Sequence, residues 1–562
     1  MSTAAKSISS DQMVARAEAK SRINVLLAVM LLSVFMTVAN IFIVNVATPS
    51  LQRGLHSSFS GVQFVITGYT LAYAVALIIG GRLGDRFGRK RILAYGVAGF
   101  TITSLMSGFS YGVNMLILFR ILQGLCAAMI APQVLALIQI NYVPEKRGAV
   151  FGLYGAAQGL AASTGQIIGG LLLHWNPLGL DWRTVFFFSV PFGIIILAML
   201  PFIAESKSAV KAKLDWIGAL SVAIGLLMMV FPLVQGQKEG WPLWLDVCLI
   251  LSLPVLAFFV WHERRVAQGG SIPFMNVDLF KQKVFTVGMV IVFLLLCSQA
   301  AFFLVAAYFL QMGIGFTALQ AGLVILPMGM GYFLASLFSS KAVTKYGAHV
   351  LTFGAVLSVI GFLSLALTVH ATGVAFQGYE SIPALLILGI GQGAIAAPLT
   401  NTVLAKIRSS DVGSASGILT TGMQVAFALG IALIGVIFLN AMRFHADTVS
   451  GEVAQQLRQH LSTIVHADAP NEMLVHQFRG CYTDFVRAND SGALPASCEI
   501  TSELPEIQNA FKSSINSANA QNYTDAFELC LYVLSLISAG LLLLVKSLAK
   551  GIRMTEPDGE IG

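Results

Sequence analysis

Residues 81–91 read GRLGDRFGRKR and join two apolar runs, 63–81 and 91–110. Each run has about the 20 mostly apolar residues that a helix needs to cross a bilayer. The connection itself holds five cations around a single carboxylate, Asp85. Its glycines permit a tight turn between two helices. The stretch therefore predicts two membrane-spanning helices joined by a short basic loop.

Similar apolar runs occupy most of the 562-residue chain. Hydrophobic residues make up 56% of it and charged residues only 11%, against about 25% charged residues in an ordinary soluble domain. So few charges cannot cover a water-soluble surface, and we predict an all-α polytopic membrane protein with 14 spans, arranged as six, two and six. The other twelve runs are 23–47, 113–135, 148–172, 184–204, 215–235, 243–261, 284–311, 318–340, 350–370, 382–405, 412–440 and 524–549.

The runs divide the chain into six predicted parts. These are an N-terminal tail, an N-terminal six-helix half, an inserted helix pair, a linker, a C-terminal six-helix half and a C-terminal tail. In that order they cover 1–22, 23–204, 205–261, 262–283, 284–549 and 550–562. The C-terminal half includes a long polar segment, 441–523, between its last two spans.

Basic residues indicate the orientation in the membrane. Most of the 34 Lys and Arg residues lie in the two tails and in alternate connections between spans. Because cytoplasmic loops carry an excess of Lys and Arg, we predict a plasma (inner) membrane protein with both tails and the linker in the cytoplasm. The segment 441–523 then lies outside, where it could bind a periplasmic or outer partner. The formal charge of +7 is explained by these loops, and we predict no nucleic-acid partner.

Motifs of energy-converting or catalytic domains are missing from the sequence. It contains no GxxxxGK[ST] phosphate loop, no HExxH and no CxxC, so we predict no enzyme activity, no cofactor and no metal site. The glycine-rich stretch 389–393, GIGQG, falls inside an apolar run, where glycines let helices approach closely. A transporter driven by a gradient of ions or substrate fits this chain best.

The loop at 81–91 resembles the signature loop of the major facilitator superfamily, GxLxDRxGRKxxL, which Leu93 completes. Four further stretches resemble motifs of the same family in the same order. Residues 120–124 resemble RxxQG, 165–170 resemble the antiporter motif GPxxGG, 182–193 resemble WRxxF…PxG, and 215–218 resemble DxxG. With 14 spans, these motifs are similar to those of the drug:proton antiporter branch, which implies multidrug efflux through two six-helix halves with a central site.

The resemblance implies roles for particular residues of this chain. In the first motif, the expected gating residues are Gly81, Asp85, Arg86, Gly88, Arg89 and Lys90. Arg120 lies inside an apolar span, where a cation costs at least about 2.5–3.5 kcal/mol, and the matching arginine of the family is thought to assist proton movement. Central positions near it would be Gln123, Asn40 and Asn45, and helix packing would involve Gly165, Gln166, Gly169 and Gly170.

Two residues depart from the family pattern. Asn40 stands where many relatives have an Asp in span one, and Gln166 replaces the Pro of the span-five motif. No Asp or Glu lies in the middle of any predicted span. Proton coupling would therefore use Asp85 with Arg120, or a proton carried by the substrate; facilitated or differently coupled transport is the alternative.

Uncharged polar residues within the spans are candidates for a substrate cavity. As a set they would suit amphipathic, neutral or cationic organic compounds, although each could instead hydrogen-bond neighbouring helices. They are Tyr69, Tyr73, Gln158, Gln299, Tyr308, Gln311, Gln392, Asn401 and Gln424. Cys481 and Cys498 share the outer segment, where a disulfide is plausible in an oxidising compartment, but the sequence leaves their pairing open.

Three functions are compatible with these features. The first is efflux of drug-like or toxic organic compounds with protons as coupling ion. The second is transport of one specific metabolite or a siderophore-like compound on the same fold, which the missing carboxylate of span one favours. The third is a membrane sensor or scaffold that does not transport, against which the intact 81–91 loop and Arg120 argue.

Overall fold

The computed structural model describes residues 10–176, 179–207, 215–269, 273, 275–405, 412–464, 468–488, 496–498 and 504–553. Within them the chain is all-helical, and no β-strand occurs. The first group of helices is α1 Ser10–Val46, α2 Thr48–Gly54, α3 Phe59–Phe87, α4 Arg89–Gly108, α5 Val113–Asn141, α6 Pro144–Trp175, α7 Thr184–Phe187 and α8 Ser189–Met199. The remainder is α9 Trp216–Glu239, α10 Leu243–Gln268, α11 Lys283–Tyr308, α12 Ala318–Tyr346, α13 His349–Thr372, α14 Ile382–Ala405, α15 Val412–Ile464, α16 Asp468–Ala488 and α17 Pro505–Arg553.

Twelve segments in the described part of the chain are long and apolar enough to cross a membrane. Helices also cover the other two predicted spans, as α4 and α6, but neither belongs to this set of twelve. The all-helical membrane architecture is thus confirmed, whereas the count of 14 spans is not. One predicted span, 184–204, is built from two helices, α7 and α8, that meet at Phe188.

The first and second groups of helices pack in the same pattern. In the first, α1 contacts α6 and α8, α3 contacts α5, and α4 contacts α5 and α8. In the second, α11 contacts α15 and α17, α12 contacts α14, and α13 contacts α14 and α17. Every one of these pairs is therefore reproduced in the second group, as expected for two repeated halves. The equivalent helices are α1 and α11, α3 and α12, α4 and α13, α5 and α14, α6 and α15, and α8 and α17.

The two halves meet along two symmetric helix pairs, α3 with α15 and α6 with α12. The Nε2 atom of Gln63 on α3 donates to the carbonyl of Ile431 on α15 at 3.0 Å. A second link joins α1 to the helical turn Phe309–Gly313 that follows α11, where Nε2 of Gln311 donates to the carbonyl of Val46 at 2.9 Å. The inserted pair, α9 and α10, packs together, and α9 also contacts α3 and α15.

Glycines of α14 bring it into close contact with α12 and α13. A Cβ atom on Gly389 would lie 2.0 Å from the carbonyl oxygen of Met328, and one on Gly391 would lie 2.6 Å from the amide nitrogen of Ser358. Real Cβ atoms do not approach other atoms so closely, so only glycine fits there. The close approach expected of residues 389–393 is confirmed.

The polar segment 441–523 is largely a continuation of two membrane helices. Helix α15 runs unbroken to Ile464 and α17 begins at Pro505, because apolar residues continue at helical spacing beyond the predicted end of the span at 440. Val449, Val453 and Leu457 are all buried. Together with α16, the parts of α15 and α17 within 441–523 form a three-helix unit that we call the outer extension, after the side of the membrane predicted for it.

The outer extension has its own core and cross-links. Phe478 of α16 is fully buried, and the hydroxyl of Tyr482 donates to the carbonyl of Ala518 on α17 at 3.0 Å. A disulfide joins Cys481 to Cys498, with Cα atoms 4.8 Å apart. The pairing left open by the sequence is thus present in the structure.

Candidate transport site and gating loop

The loop at 81–91 is a single-residue break between two helices. Helix α3 continues to Phe87 and α4 begins at Arg89, so Gly88 alone forms the turn. Its φ of 112° is a conformation that side-chain-bearing residues rarely adopt. This is tighter than the predicted spans 63–81 and 91–110 imply, because the charged residues between them also take helical conformation.

Asp85 and Arg89 face each other across this turn. Oδ1 of Asp85 lies 2.6 Å from Nη2 of Arg89, and the pair is partly exposed. The backbone nitrogen of Arg89 also donates to the carbonyl of Ser206 at 2.9 Å. Asp85 thus pairs with one arginine of its own loop rather than with a helix N-terminus.

The carboxylate at the N-terminus of α4 comes from Glu205, which sequence reasoning missed. Its two oxygens accept the backbone N–H groups of Lys90 at 3.0 Å and of Arg91 at 3.2 Å. A negative charge is stabilised at this end of a helix by the unpaired amides and the dipole. Glu205 follows α8 in the chain, so it ties the end of that helix to the loop, and nothing in its local sequence marks this contact.

The remaining loop residues lie around the break. A Cβ on Gly81 would touch Pro132 of α5 at 3.4 Å. The guanidinium of Arg86 is exposed and lies 5.3 Å from the ring of Phe87. Nζ of Lys90 donates to the carbonyl of Pro201 at 3.4 Å.

Arg82 connects the same loop to the segment that leads into the second half. Its Nη2 atom donates to the carbonyl of Pro273. Burial lowers the pKa of the Arg82 guanidinium from its ordinary value, while the nearby carboxylates of Glu263 and Asp215 act in the opposite direction. The sequence motif alone did not indicate these partners, since they lie more than 100 residues away.

Arg120 is the centre of a buried polar cluster in the first half. It is fully buried, and its Nη1 atom donates to Oδ1 of Asn40 and to Oε1 of Gln123, each at 2.6 Å. Its Nε atom donates to the carbonyl of Val65 at 3.0 Å. The guanidinium also lies 4.2 Å from the centre of the Tyr69 ring, a cation–π contact. Helices α1, α3 and α5 thus supply the groups that contact the Arg120 side chain directly.

The side chains that bind Arg120 are themselves hydrogen-bonded to neutral groups. Nε2 of Gln123 donates to the hydroxyl of Ser104 at 2.5 Å, and Nδ2 of Asn40 donates to the hydroxyl of Ser189 at 3.2 Å. None of the described side chains that contact the Arg120 guanidinium is acidic, and its Nη2 atom has no hydrogen-bond partner among them. Among the described residues, the Arg120 charge is therefore held by neutral dipoles and by the rings of Tyr69 and, at 6.0 Å, Phe186.

Asn45 lies one turn beyond Asn40 on α1 but does not join the cluster. Its side chain is fully buried, and neither its amide nitrogen nor its oxygen has a hydrogen-bond partner in the described part of the chain. A buried unsatisfied amide costs free energy. The structure therefore separates two residues that the sequence grouped together.

Three glycines of the 165–170 stretch bring α6 close to its neighbours. Cβ atoms on Gly165 and Gly169 would lie 3.2 and 3.1 Å from backbone carbonyls of α1, and one on Gly170 would lie 2.6 Å from the carbonyl of Ala318 on α12. Gln166 is buried among them. The stretch therefore packs α6 against both its own half and the other half.

The predicted cavity residues do not form one group. Tyr69 and Tyr73 contact each other beside Arg120, with ring centres 5.9 Å apart. Tyr308 packs on Phe59 near the junction of the halves, with ring centres 4.7 Å apart. Nε2 of Gln299 is 3.4 Å from Oε1 of Gln392 between α11 and α14.

Other members of that set have no shared site. Gln158 and Gln424 are partly exposed, and Gln311 bonds α1 as described above. The side chain of Asn401 lies outside the described residues. Several of these amides thus serve helix–helix hydrogen bonding, the alternative that the sequence left open.

Known proteins match this chain over most of its length. The model of the Major Facilitator Superfamily matches residues 30–431. A probable actinorhodin transporter of Streptomyces coelicolor is 31% identical, covering 87% of this chain and 86% of the relative. A puromycin resistance protein of Streptomyces alboniger is 31% identical, covering 74% and 82%.

The fold is similar to that of solved transporters. A bacterial homologue of the human lysosomal transporter Spinster, solved in an inward-facing, unoccupied conformation, superposes with a TM-score of 0.56 at 15% identity. It covers 94% of this chain and 98% of its own. Repeated six-helix packing, the loop at 81–91 and the family match agree: the chain belongs to the Major Facilitator Superfamily and is a membrane transporter rather than an enzyme.

Proposed function

We propose that this protein exports amphipathic drug-like or toxic organic compounds by alternating access, coupled to proton entry. The observation that carries the proposal is the pair of relatives named for actinorhodin transport and puromycin resistance, which match over most of both chains. Expulsion of a toxic compound is the direct way in which a transporter gives resistance to it. The Arg120 cluster, with one charge and many neutral hydrogen-bonding groups, is the proposed polar part of the central site.

We further propose the membrane orientation that the basic residues predict and the division into spans, tails and linker that the apolar runs predict. Fourteen spans cross the plasma membrane, the tails before 23 and after 549 and the linker 262–283 are cytoplasmic, and the outer extension lies outside. Cysteine variants placed in the N-terminal tail and in the outer extension test this proposal. An impermeant thiol reagent added to intact cells should label only the outer extension, and labelling of the tail would contradict it.

In the proposed cycle, the loop at 81–91 controls opening on the cytoplasmic side and Arg120 assists proton movement. Gly81, Asp85, Arg86, Gly88, Arg89 and Lys90 are the proposed gating residues. With no carboxylate mid-membrane, the proton passes by Asp85 and Arg120 or travels on the substrate. Glu205 and Ser206 hold the loop in the arrangement described above, so release of these contacts would accompany opening.

The test of export uses a bacterial host whose own drug pumps are deleted. Cells that express the protein should tolerate higher concentrations of amphipathic compounds and accumulate less of a fluorescent one. Cells with equal amounts of an Arg458→Ala variant, altered only at an exposed pair with Glu472 in the outer extension, should behave like the wild type. Unchanged tolerance across a broad panel would contradict the proposal.

Proton coupling needs a separate measurement in proteoliposomes. An imposed pH gradient should drive substrate movement, and a protonophore should stop it. Substrate movement that ignores the gradient would leave export in place but contradict proton coupling.

The second candidate is a carrier for one metabolite or siderophore-like compound. Asn40 favours it, because the carboxylate that many drug:proton antiporters carry in span one is missing. Profiling the extracellular metabolite pool with and without the protein separates the two functions. A change in one compound without altered drug tolerance would support the metabolite carrier. With either function, we propose that the outer extension could also bind a partner outside the membrane.

A further inference from the structure

A second charged cluster lies where the inserted pair meets the segment that leads into the second half. Asp215 caps the N-terminus of α9, accepting the backbone N–H of Gly218 at 2.9 Å. Nε2 of His262, near the end of α10, lies 3.1 and 3.2 Å from the two oxygens of the Asp215 carboxylate. Glu263 is the next residue on α10. The three side chains bring one nitrogen and two carboxylate oxygens within 4.8 Å of one another.

Glu263 is the unusual member of this cluster. It is fully buried, and its Oε2 atom accepts the backbone N–H of Met275 at 2.6 Å. Its Oε1 atom is buried and has no hydrogen-bond partner among the described residues. A buried carboxylate is costly unless a positive group or hydrogen bonds compensate it. Arg82 and, when protonated, His262 are the described positive groups near the two carboxylates, and Oε1 of Glu263 still lacks a hydrogen bond from the described residues.

The donor atoms match the ligands of a transition-metal ion. Zn²⁺ binds His nitrogen and carboxylate oxygen at about 2.0–2.2 Å in tetrahedral geometry, which places neighbouring ligand atoms about 3.3–3.6 Å apart. The distances between His262 and Asp215 are already close to this value. A mixed set of imidazole and carboxylates favours ions such as Zn²⁺ over Mg²⁺ or Ca²⁺, which prefer oxygen alone.

We propose that Asp215, His262 and Glu263 form a binding site for one divalent transition-metal ion. Asp215 and His262 keep 11% and 15% of their side-chain surface exposed, which gives the ion a path to the buried Glu263. An open fourth position would be filled by water.

An ion in this site would fix several segments together. It would join the first turn of α9 to the last turns of α10, and through Glu263 it would hold the backbone at Met275. Because Arg82 contacts the same segment at Pro273, the loop at 81–91 belongs to the same connection. Metal occupancy would therefore stiffen the link between the gating loop, the inserted pair and the second half. This inference does not depend on what the transporter carries.

The test is isothermal titration calorimetry of the full chain in detergent with ZnCl₂. The protein is first freed of metal with a chelator and of any polyhistidine tag, which would itself bind metal. We expect one saturable site per chain, with affinity at least about tenfold weaker in Glu263→Gln and in Asp215→Asn. Size-exclusion chromatography checks that both variants remain folded. Co²⁺ gives a second readout, because its visible absorption becomes much stronger when the ion passes from octahedral coordination by water to a tetrahedral site.

The matched control is another His–carboxylate pair of the same chain. Nδ1 of His370 lies 3.0 Å from Oε1 of Glu528, but no third metal-binding side chain joins them in a group of this kind among the described residues. A His370→Ala variant should bind Zn²⁺ and Co²⁺ as the wild type does. The proposal is overturned if no saturable binding occurs, if Glu263→Gln and Asp215→Asn bind as tightly as the wild type, or if His370→Ala abolishes binding.

Discussion

Helices α5 and α14 occupy equivalent places in the two halves, and one of them carries a charge where the other has no side chain. Gly124 of α5 packs against the carbonyl of Tyr69 on α3, and Gly393 of α14 packs against the carbonyl of Tyr332 on α12, each with a would-be Cβ at 2.3 Å. These contacts align residues 120–124, RILQG, with 389–393, GIGQG.

The alignment places Arg120 opposite Gly389 and Gln123 opposite Gln392. The two glutamines make contacts toward equivalent helices, α1 and α11. Gln123 and Asn40 of α1 both accept from the Arg120 guanidinium, and Gln392 contacts Gln299 of α11. At Gly389, however, α12 lies so close that even a methyl group does not fit. The two halves thus share a packing scheme and differ at this position, where the first half has a buried charge and the second has a close contact between two helices.

The largest expected effect is loss of transport when that charge is removed. Arg120→Ala deletes the donor shared by Asn40, Gln123 and the carbonyl of Val65, and hydrogen bonds to a charged group contribute about 1.5–3 kcal/mol each. Substrate uptake into inverted membrane vesicles should fall to the background of vesicles that lack the protein, while membrane insertion persists. Arg120→Lys keeps the charge but lacks the planar fork and should restore only a minor part. Uptake at the wild-type rate by Arg120→Ala would contradict a role for the cluster.

The next effect concerns the missing carboxylate. Asn40→Asp places a negative charge beside Arg120 and should raise the melting temperature, whereas Asn45→Asp buries a carboxylate without a partner and should lower it. An uncompensated buried charge costs about 3–5 kcal/mol, so the two variants should differ clearly. Melting is followed by fluorescence-detected size-exclusion chromatography after heating. The gain from Asn40→Asp should disappear in an Arg120→Ala background, and a gain that persists there would contradict the pairing.

A smaller effect tests the close packing of the second half. Gly389→Ala should destabilise the protein by about 1–3 kcal/mol, because α12 and α14 must move apart to admit the methyl group. Gly540→Ala, on a part of α17 where a Cβ would meet nothing within 4 Å, should be neutral or stabilise by up to about 1 kcal/mol. The same heating assay compares them. Equal stability of the two variants would argue against the tight fit at Gly389.

The smallest effect on stability is expected at the gating loop. Asp85→Asn breaks a partly exposed ion pair, which is worth about 0.2–1 kcal/mol. Asp278→Asn, which breaks the exposed pair with Lys281 at 2.8 Å, should shift melting by a similar amount. Transport should distinguish them, since only Asp85 lies in the proposed gate. Equal transport rates in the two variants would remove Asp85 from the gating mechanism.

Hydropathy located the helices well because it depends on local sequence. Each of the 14 apolar runs coincides with described helical structure, with 184–204 divided between two helices. Asp85 pairs with an arginine four residues away. Contacts between distant residues were not visible in the same way. Glu205 caps α4 from more than 100 positions along the chain, and His262 meets Asp215 across 47 positions. Amide residues predicted to share a cavity were distributed among helix contacts, because one sequence gives no information on which faces of separate helices point toward each other.

Helix α15 continues without a break into the outer extension, so the outer extension must move together with the second half. At about 1.5 Å per residue, the 53 residues of α15 span about 80 Å, and α17 runs beside it. Any tilt of the second half is magnified at the far end of such a lever, since displacement grows with distance from the pivot. Spin labels or fluorophores on α16 and at the junction of α1 and α2 would therefore report the swing of the second half as a change in distance. The position of the outer extension would thus report the conformation of the second half during each transport cycle.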